Sequence, residues 1–388
     1  MIKKRRRSML KGKIWVCLFV LLLLASVSRA EDGVTEKEVL IGMSNALTGP
    51  ASALGTGMKS GAMVYFDKTN AAGGVQGHKI KLLTYDDGYE PDRSITNTRK
   101  LVEEDKVFAL FGYVGTPTST AVMPIFSKAS VPYIAPFTGA EIFRNPVNKY
   151  LFNIRASYFD ETEAMVEHLT TDLGIHKIGV FAQADAFGDA GRAGVNRALR
   201  KRELSMAGDS KFQRNTVDVE GGLEELIKAN PEAVIMVGTY KPLAAFIKKA
   251  KARGFKPKFL TVSFVGTDAL IDELGGEGDG VIVTQVMPNP NDSSLPIVKQ
   301  YLSDMKAAGH HSDFMSLEGY VDAAVMVEAL KKAASLTRAS FLSSFEGLNI
   351  NVGGLMVGLS PTNHQGLKQI FLTKIEHGKA VTITKFDR

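Results

Sequence analysis

Short runs of consecutive apolar residues alternate along most of this chain with longer stretches in which apolar residues recur every three or four positions. A strand buried on both faces gives the first pattern, and a helix with one covered face gives the second. The alternation therefore predicts parallel α/β layers. A first series places strands at 39–43, 80–85, 107–112, 133–136 and 151–154, with helices at 56–70 and 92–104. A second series places strands at 178–182, 233–238, 259–263 and 281–286, with helices at 161–173, 190–202, 223–229 and 243–253. Helices at 295–307 and 317–334 follow, and then the character changes. Segments 354–358, 368–375 and 380–385 read as antiparallel strands.

One unit occurs twice. Val107–Gly112 leads through Thr116-Pro117 into a helix and then into Pro132–Phe137. Ala233–Gly238 leads through Thr239-Tyr240-Lys241-Pro242 into a helix and then into Phe259–Phe264. Repetition of a strand–turn–helix–strand unit predicts two related lobes facing one another. Open parallel sheets bind ligands beyond the carboxyl ends of their strands, so the turns after Gly112 and Gly238 should line a cleft.

The first thirty positions follow another rule. Lys3 to Arg7, Lys11 and Lys13 form a basic start, Ile14–Val27 is an uncharged apolar run, and Ser28-Arg29-Ala30 offers small residues for cleavage. That order is a cleavable export signal with cleavage near Ala30, and the run is short for a membrane span. Arg6-Arg7 also resembles a twin-arginine signal, leaving the export route open. The segment contains eight Lys or Arg and no acid, so 47 bases less 8 leaves 39 against 41 acids. The overall pI of 9.1 is thus a property of the leader, and composition gives no reason to expect a nucleic-acid partner. The single cysteine, Cys17, also lies in the leader, which excludes thiol chemistry and disulfides from the mature chain.

Candidate chemistry sits at the predicted strand ends. Thr116-Pro117-Thr118-Ser119-Thr120 opens a helix with hydroxyl groups and free backbone N–H groups, which suits a carboxylate or another anion; an ordinary helix cap has the same sequence. Thr138-Gly139-Ala140 forms a second such loop after the strand ending at Pro136. Tyr113, Phe137, Phe187, Tyr240, Phe264 and Tyr320 are aromatics that could enclose an apolar ligand, or could be core. Nucleophile elbows, phosphate-binding loops and zinc-protease motifs do not occur, so the chain reads as a non-enzyme needing no cofactor or metal. Asp86-Asp87 reads as turn hydrogen bonding, and His310-His311 as an exposed loop pair.

Val39-Leu-Ile-Gly-Met43, Leu47-Thr-Gly-Pro50, Asn70–Gly77, Tyr85-Asp-Asp87, Asp185-Ala-Phe-Gly188 and Gly319-Tyr-Val-Asp-Ala-Ala324, in that order, resemble the branched-chain amino acid type of periplasmic ABC-transporter binding protein. The resemblance implies a type I fold: α/β, two Rossmann-like lobes joined by a three-stranded hinge. One lobe would comprise 31–155 with 287–345, and the other 156–286 with 346–388. It implies a ligand carboxylate held by Thr116, Thr138 and the Ala140 backbone, with Leu54, Phe187, Tyr240 and Tyr320 around the ligand. One position departs. Where the family places an acid for the ligand ammonium stands Ser263, so either Asp185 or Glu318 substitutes, or the ligand lacks an α-ammonium. The expected role is a monomeric periplasmic protein that captures a small carboxylate-bearing molecule by hinge closure and delivers it to an ABC permease in the inner membrane. The alternative is a sensor that presents the ligand to a membrane receptor.

Overall fold

The computed structural model describes residues 31–387; the expected export signal lies outside the described residues. Two sheets with the same strand order organise residues 32 onward. The first contains β1 (Glu38–Asn45), β2 (Lys79–Asp86), β3 (Ala109–Phe111), β4 (Tyr133–Ile134) and β5 (Leu151–Phe152) in the order β2-β1-β3-β4-β5. Every pairing in it is parallel. Helices α1 (Ser52–Ala71), α2 (Pro91–Arg99) and α3 (Thr116–Ala129) connect its strands.

After β5 the chain crosses to the second sheet through α4 (Tyr158–Thr171). There β6 (Ile178–Gln183), α5 (Ala186–Arg200), β7 (Gly208–Phe212), α6 (Glu220–Ala229), β8 (Ala233–Val237), α7 (Tyr240–Ala252), β9 (Lys258–Thr261), α8 (Thr267–Leu274) and β10 (Ile282–Gln285) follow. The five strands lie in the order β7-β6-β8-β9-β10 and are all parallel. Written by position, this repeats the order of the first sheet. The repeated unit read from sequence is β3-α3-β4 in one lobe and β8-α7-β9 in the other, the third and fourth strands of each.

The chain then returns to the first lobe as α9 (Pro296–Ala307), α10 (Phe314–Lys332) and α11 (Arg338–Glu346). The C-terminal segment divides. The hairpin β11 (Asn349–Val352) and β12 (Leu355–Gly358) stands apart from both sheets, with Gly353 close against Ile297 of α9. Strands β13 (Phe371–Glu376) and β14 (Lys379–Ile383) extend the second sheet antiparallel from β10.

The chain thus passes between lobes three times: after β5, after β10 and after β12. Two crossings are tied by backbone bonds. Asn153 N–H donates to the His364 carbonyl (2.9 Å), Gly366 N–H to Asn153 (2.9 Å) and Leu367 N–H to Ile154 (2.7 Å). Paired crossings resist shear yet leave rotation across them free, which is the mechanical form of a hinge.

In the first lobe, α1 and α10 pack almost backbone to backbone. A Cβ at Gly61 would lie 1.8 Å from the Ser316 carbonyl, and one at Gly319 would lie 2.1 Å from that of Met58. Glycine at these points lets the helices meet and bury nearly every residue of α10. Asp313 and Ser316 cap the start of α10 reciprocally, which fixes where it begins. Among the described residues, no helix is long and apolar enough to cross a membrane.

Candidate ligand-binding site between the lobes

The strand order of each lobe reverses beside its first strand, and the residues after those strands meet between the lobes. From the first lobe come Leu54 in the first turn of α1, Thr116 after β3, and Phe137 and Thr138 after β4. From the second come Phe187 after β6, Tyr240 after β8, and Ser263 and Phe264 after β9. All are buried.

Thr116 and Thr138 share a hydrogen bond of 2.7 Å between their hydroxyls, and Ala140 N–H donates to Thr138 Oγ1 at 3.2 Å. Gly115 precedes α3 with φ 110°, where a Cβ would strike the Tyr89 ring at 2.3 Å. Pro117 sits in the first turn of α3, where no intrahelical donor is lost. The two hydroxyl loops predicted from sequence therefore form one polar wall. Gly139 closes it: its Cα lies so near Tyr158 that a Cβ would fall 2.6 Å from the ring.

Aromatic rings form the opposite wall. Phe264 packs on Phe187 (centroids 4.5 Å apart), on Phe137 (5.4 Å) and on Tyr89 (6.1 Å), and Phe187 packs on Tyr158 (5.4 Å). Phe137 and Tyr89 belong to the first lobe and the others to the second, so the cluster spans the cleft. Gly266, with φ 81°, brings the second lobe close to the first, since a Cβ there would meet Leu54 at 2.7 Å and Tyr240 at 3.5 Å.

Polar contacts also join the lobes. Ala53 N–H donates to the Tyr240 hydroxyl (3.4 Å), Gln183 donates to the Tyr89 hydroxyl (3.3 Å), and Phe314 N–H donates to Asp268 (3.1 Å). Arg214 pairs with Glu90 at 2.7 Å.

Two residues that sequence reasoning missed stand at the centre. Arg155, in the first crossing, is 1% exposed and lies over the Phe137 ring at 4.6 Å. It donates to the Ser263 hydroxyl and approaches Glu161 at 3.7 Å and Glu318 at 3.5 Å. Tyr158 is fully buried, with its hydroxyl beside Thr138 and Gly139. Burial pushes that hydroxyl up to about 12, with the Arg155 guanidinium opposing the rise. The Tyr158 hydroxyl and the Arg155 Nε and Nη1 have no hydrogen-bond partner among the described residues. Buried donors of this kind are rare, and a bound ligand is one explanation for them.

Other predicted residues lie elsewhere. Tyr113 shares a hydrogen bond with Thr98 (3.0 Å) and packs on Tyr133 inside the first lobe. Tyr320 packs on Tyr65 (4.9 Å) and Tyr301 (5.5 Å) in the helical layer. Asp185 caps α5 through the N–H groups of Phe187 (2.9 Å) and Gly188 (3.3 Å), and pairs with Arg214 at 3.6 Å. Asp86 accepts from Leu47, Thr48 and Gly88, as the turn reading required. His310 and His311 are exposed, and no group of metal-binding side chains occurs among the described residues.

Burial raises several carboxylates. Desolvation lifts Asp87 and Asp268 to about 6, and desolvation with repulsion from Glu161 lifts Glu318 to about 7 despite Arg155. A raised carboxyl favours the fold while protonated, and the benefit is lost as pH climbs through its folded-state value. The melting temperature should therefore fall as pH rises from about 5 to about 7 in a thermal scan. A rise over that window would mean that these groups are charged and well paired in the folded protein.

Two lobes of one topology, three crossings between them and a site built from facing strand ends define a type I periplasmic binding fold. A model of the periplasmic binding protein family matches residues 38–380, and the chain belongs to that family. It is 24% identical over 391 aligned positions to Leu/Ile/Val-binding protein homolog 7 of Brucella suis, covering 95% of each. A crystal structure of a possible leucine/isoleucine/valine-binding protein from Rhodopirellula baltica SH 1 superposes with a TM-score of 0.86 at 36% identity, over 92% of this chain and 98% of that one. A branched-chain amino acid ABC transporter structure from Thermus thermophilus with bound valine gives 0.80 at 20% identity, over 91% and 97%.

Proposed function

We propose that this protein is the periplasmic solute-binding component of an ABC importer and captures a small carboxylate-bearing molecule by hinge closure. The observation that supports this best is the convergence of buried donors from both lobes and the hinge. Thr116 and Thr138 come from one side, Tyr158 from the other and Arg155 from the crossing between them. Donors that converge from both lobes suit an anionic group, and enclosure between lobes gives the ligand differential affinity for the closed form. The closed monomer then docks on an inner-membrane permease. In this reading its work is binding and release, without turnover.

Thermal shift against amino acids, keto acids, short fatty acids, aromatic acids and uncharged sugars tests the reading. A ligand at a hundred times its Kd adds about 2.7 kcal/mol to stability. Stabilisation by sugars alone would contradict it. Thr138→Val removes a hydroxyl while keeping the shape, and a hydrogen bond to a charged group is worth about 1.5–3 kcal/mol. Carboxylate affinity measured by calorimetry should fall by at least about tenfold; unchanged affinity would remove Thr138 from the site.

A further inference from the structure

The geometry points to a narrower ligand class, resting on the carboxylate reading above. We infer that the ligand is an apolar carboxylic acid without an α-ammonium group, gripped by Arg155 and enclosed by Phe137, Tyr158, Phe187 and Phe264.

An α-amino acid needs a buried carboxylate with a free oxygen for its ammonium, because an unpaired buried cation is costly. Glu161 and Asp185 are engaged elsewhere, and the free oxygens of Glu318 and Asp322 belong to carboxyls that already interact with Arg155. Glu161 Oε2 accepts from Ser263 N–H (2.7 Å) and the Thr284 hydroxyl (2.7 Å), and its Oε1 from the Ser263 hydroxyl (3.0 Å), with Arg155 beside it. Asp185 is occupied by the cap of α5, by Gln183 (2.7 Å) and by Arg214. Glu318 retains an oxygen without a hydrogen bond, but that oxygen lies 3.5 Å from Arg155 Nη1. An ammonium brought to Glu318 would stand beside a guanidinium. At Ser263 the protein places the positive charge of Arg155.

What the site offers is complementary to a different molecule. Arg155 Nε and the Tyr158 hydroxyl are buried donors that make no hydrogen bond among the described residues, and Arg155 Nη1 has only the ion pair to Glu318 at 3.5 Å. A carboxylate has oxygens to satisfy them and gains from the guanidinium charge. Four aromatic rings around these donors suit a branched or aromatic body.

Calorimetry on the wild-type mature protein decides this with matched pairs: 3-phenylpropanoate against L-phenylalanine, and 4-methylpentanoate against L-leucine. Members of each pair differ in the α-ammonium alone. At least one acid should bind about a hundredfold or more tighter than its amino acid. An amino acid that binds as well as its partner acid, or better, overturns the inference and leaves the carboxylate reading standing. Absence of binding by all four probes overturns the inference as well. If an uncharged sugar then binds, the carboxylate reading falls with it. Arg155→Lys keeps a positive charge but not the planar fork, and should cost the preferred acid at least about tenfold while the melting transition remains cooperative.

Discussion

Replacing Arg155 with methionine is expected to destabilise the protein by about 3–5 kcal/mol and to abolish ligand capture. The guanidinium lies between acids brought from two distant stretches of chain. Glu161 is on α4 of the second lobe, and Glu318 and Asp322 are one turn apart on α10 of the first. Asp322 is held well above the ordinary carboxylate range, first by burial and then by repulsion from Glu318, with Arg155 opposing. Without the cation, these buried carboxyls would lose their main counter-charge, Arg144 remaining as the weaker influence on Glu318. They must then take up protons or separate, and separation means opening the hinge. Denaturant titration at neutral pH measures the loss, and calorimetry measures the binding. A change below about 1 kcal/mol would show that the acids do not depend on the guanidinium.

Gly61→Val is the second large effect, and it acts far from the ligand. The new side chain would start 1.8 Å from the Ser316 carbonyl oxygen, and a backbone atom cannot turn aside as a side chain can. Helices α1 and α10 must separate, and α10 carries Glu318 toward Arg155. Overpacking of a fixed contact costs at least about 3 kcal/mol, at or beyond the upper end of the usual range. Gly221→Ala on α6 is the control, because nothing lies within 4 Å of the added carbon. It should leave stability unchanged or raise it slightly, since alanine favours helix. Equal losses in the two variants would show that helix contact at Gly61 is not the cause.

The scaffold was legible because its strands are buried on both faces. Val107–Gly112 and Ala233–Gly238 are continuous apolar runs, and such runs announce central parallel strands. Elements without that signature escaped. Strand β7, Gly-Asp-Ser-Lys-Phe, is an edge strand whose polar residues need no covered face. Helices α8 and α11 are only 8 and 9 residues long, too short for periodicity to stand out.

The site was legible in part for a similar reason. Thr116, Thr138, Tyr240 and Phe264 follow strands directly, so the topology alone sends them to the cleft. Arg155 and Tyr158 follow the short strand β5, in a crossing segment that sequence reading could not distinguish from a surface turn. An arginine in a turn is ordinarily solvated, and its burial depends on Glu161, Ser263 and Glu318, which no local pattern associates with it. The hint available was Ser263 itself, a hydroxyl where a charge was expected. The aromatic Tyr113 shows the converse. Its place after a strand suggested the cleft, but its ring turns inward and bonds Thr98.

Small-angle X-ray scattering with and without the tightest-binding acid of the panel examines the swinging of the halves most directly. Two equal-topology bodies that rotate on three crossings should give a radius of gyration that shrinks on saturation, ending at a profile that matches the contacts of Tyr240 with Ala53 and Asp268 with Phe314. Identical profiles in the two conditions, with calorimetry confirming that the acid is bound, would contradict it.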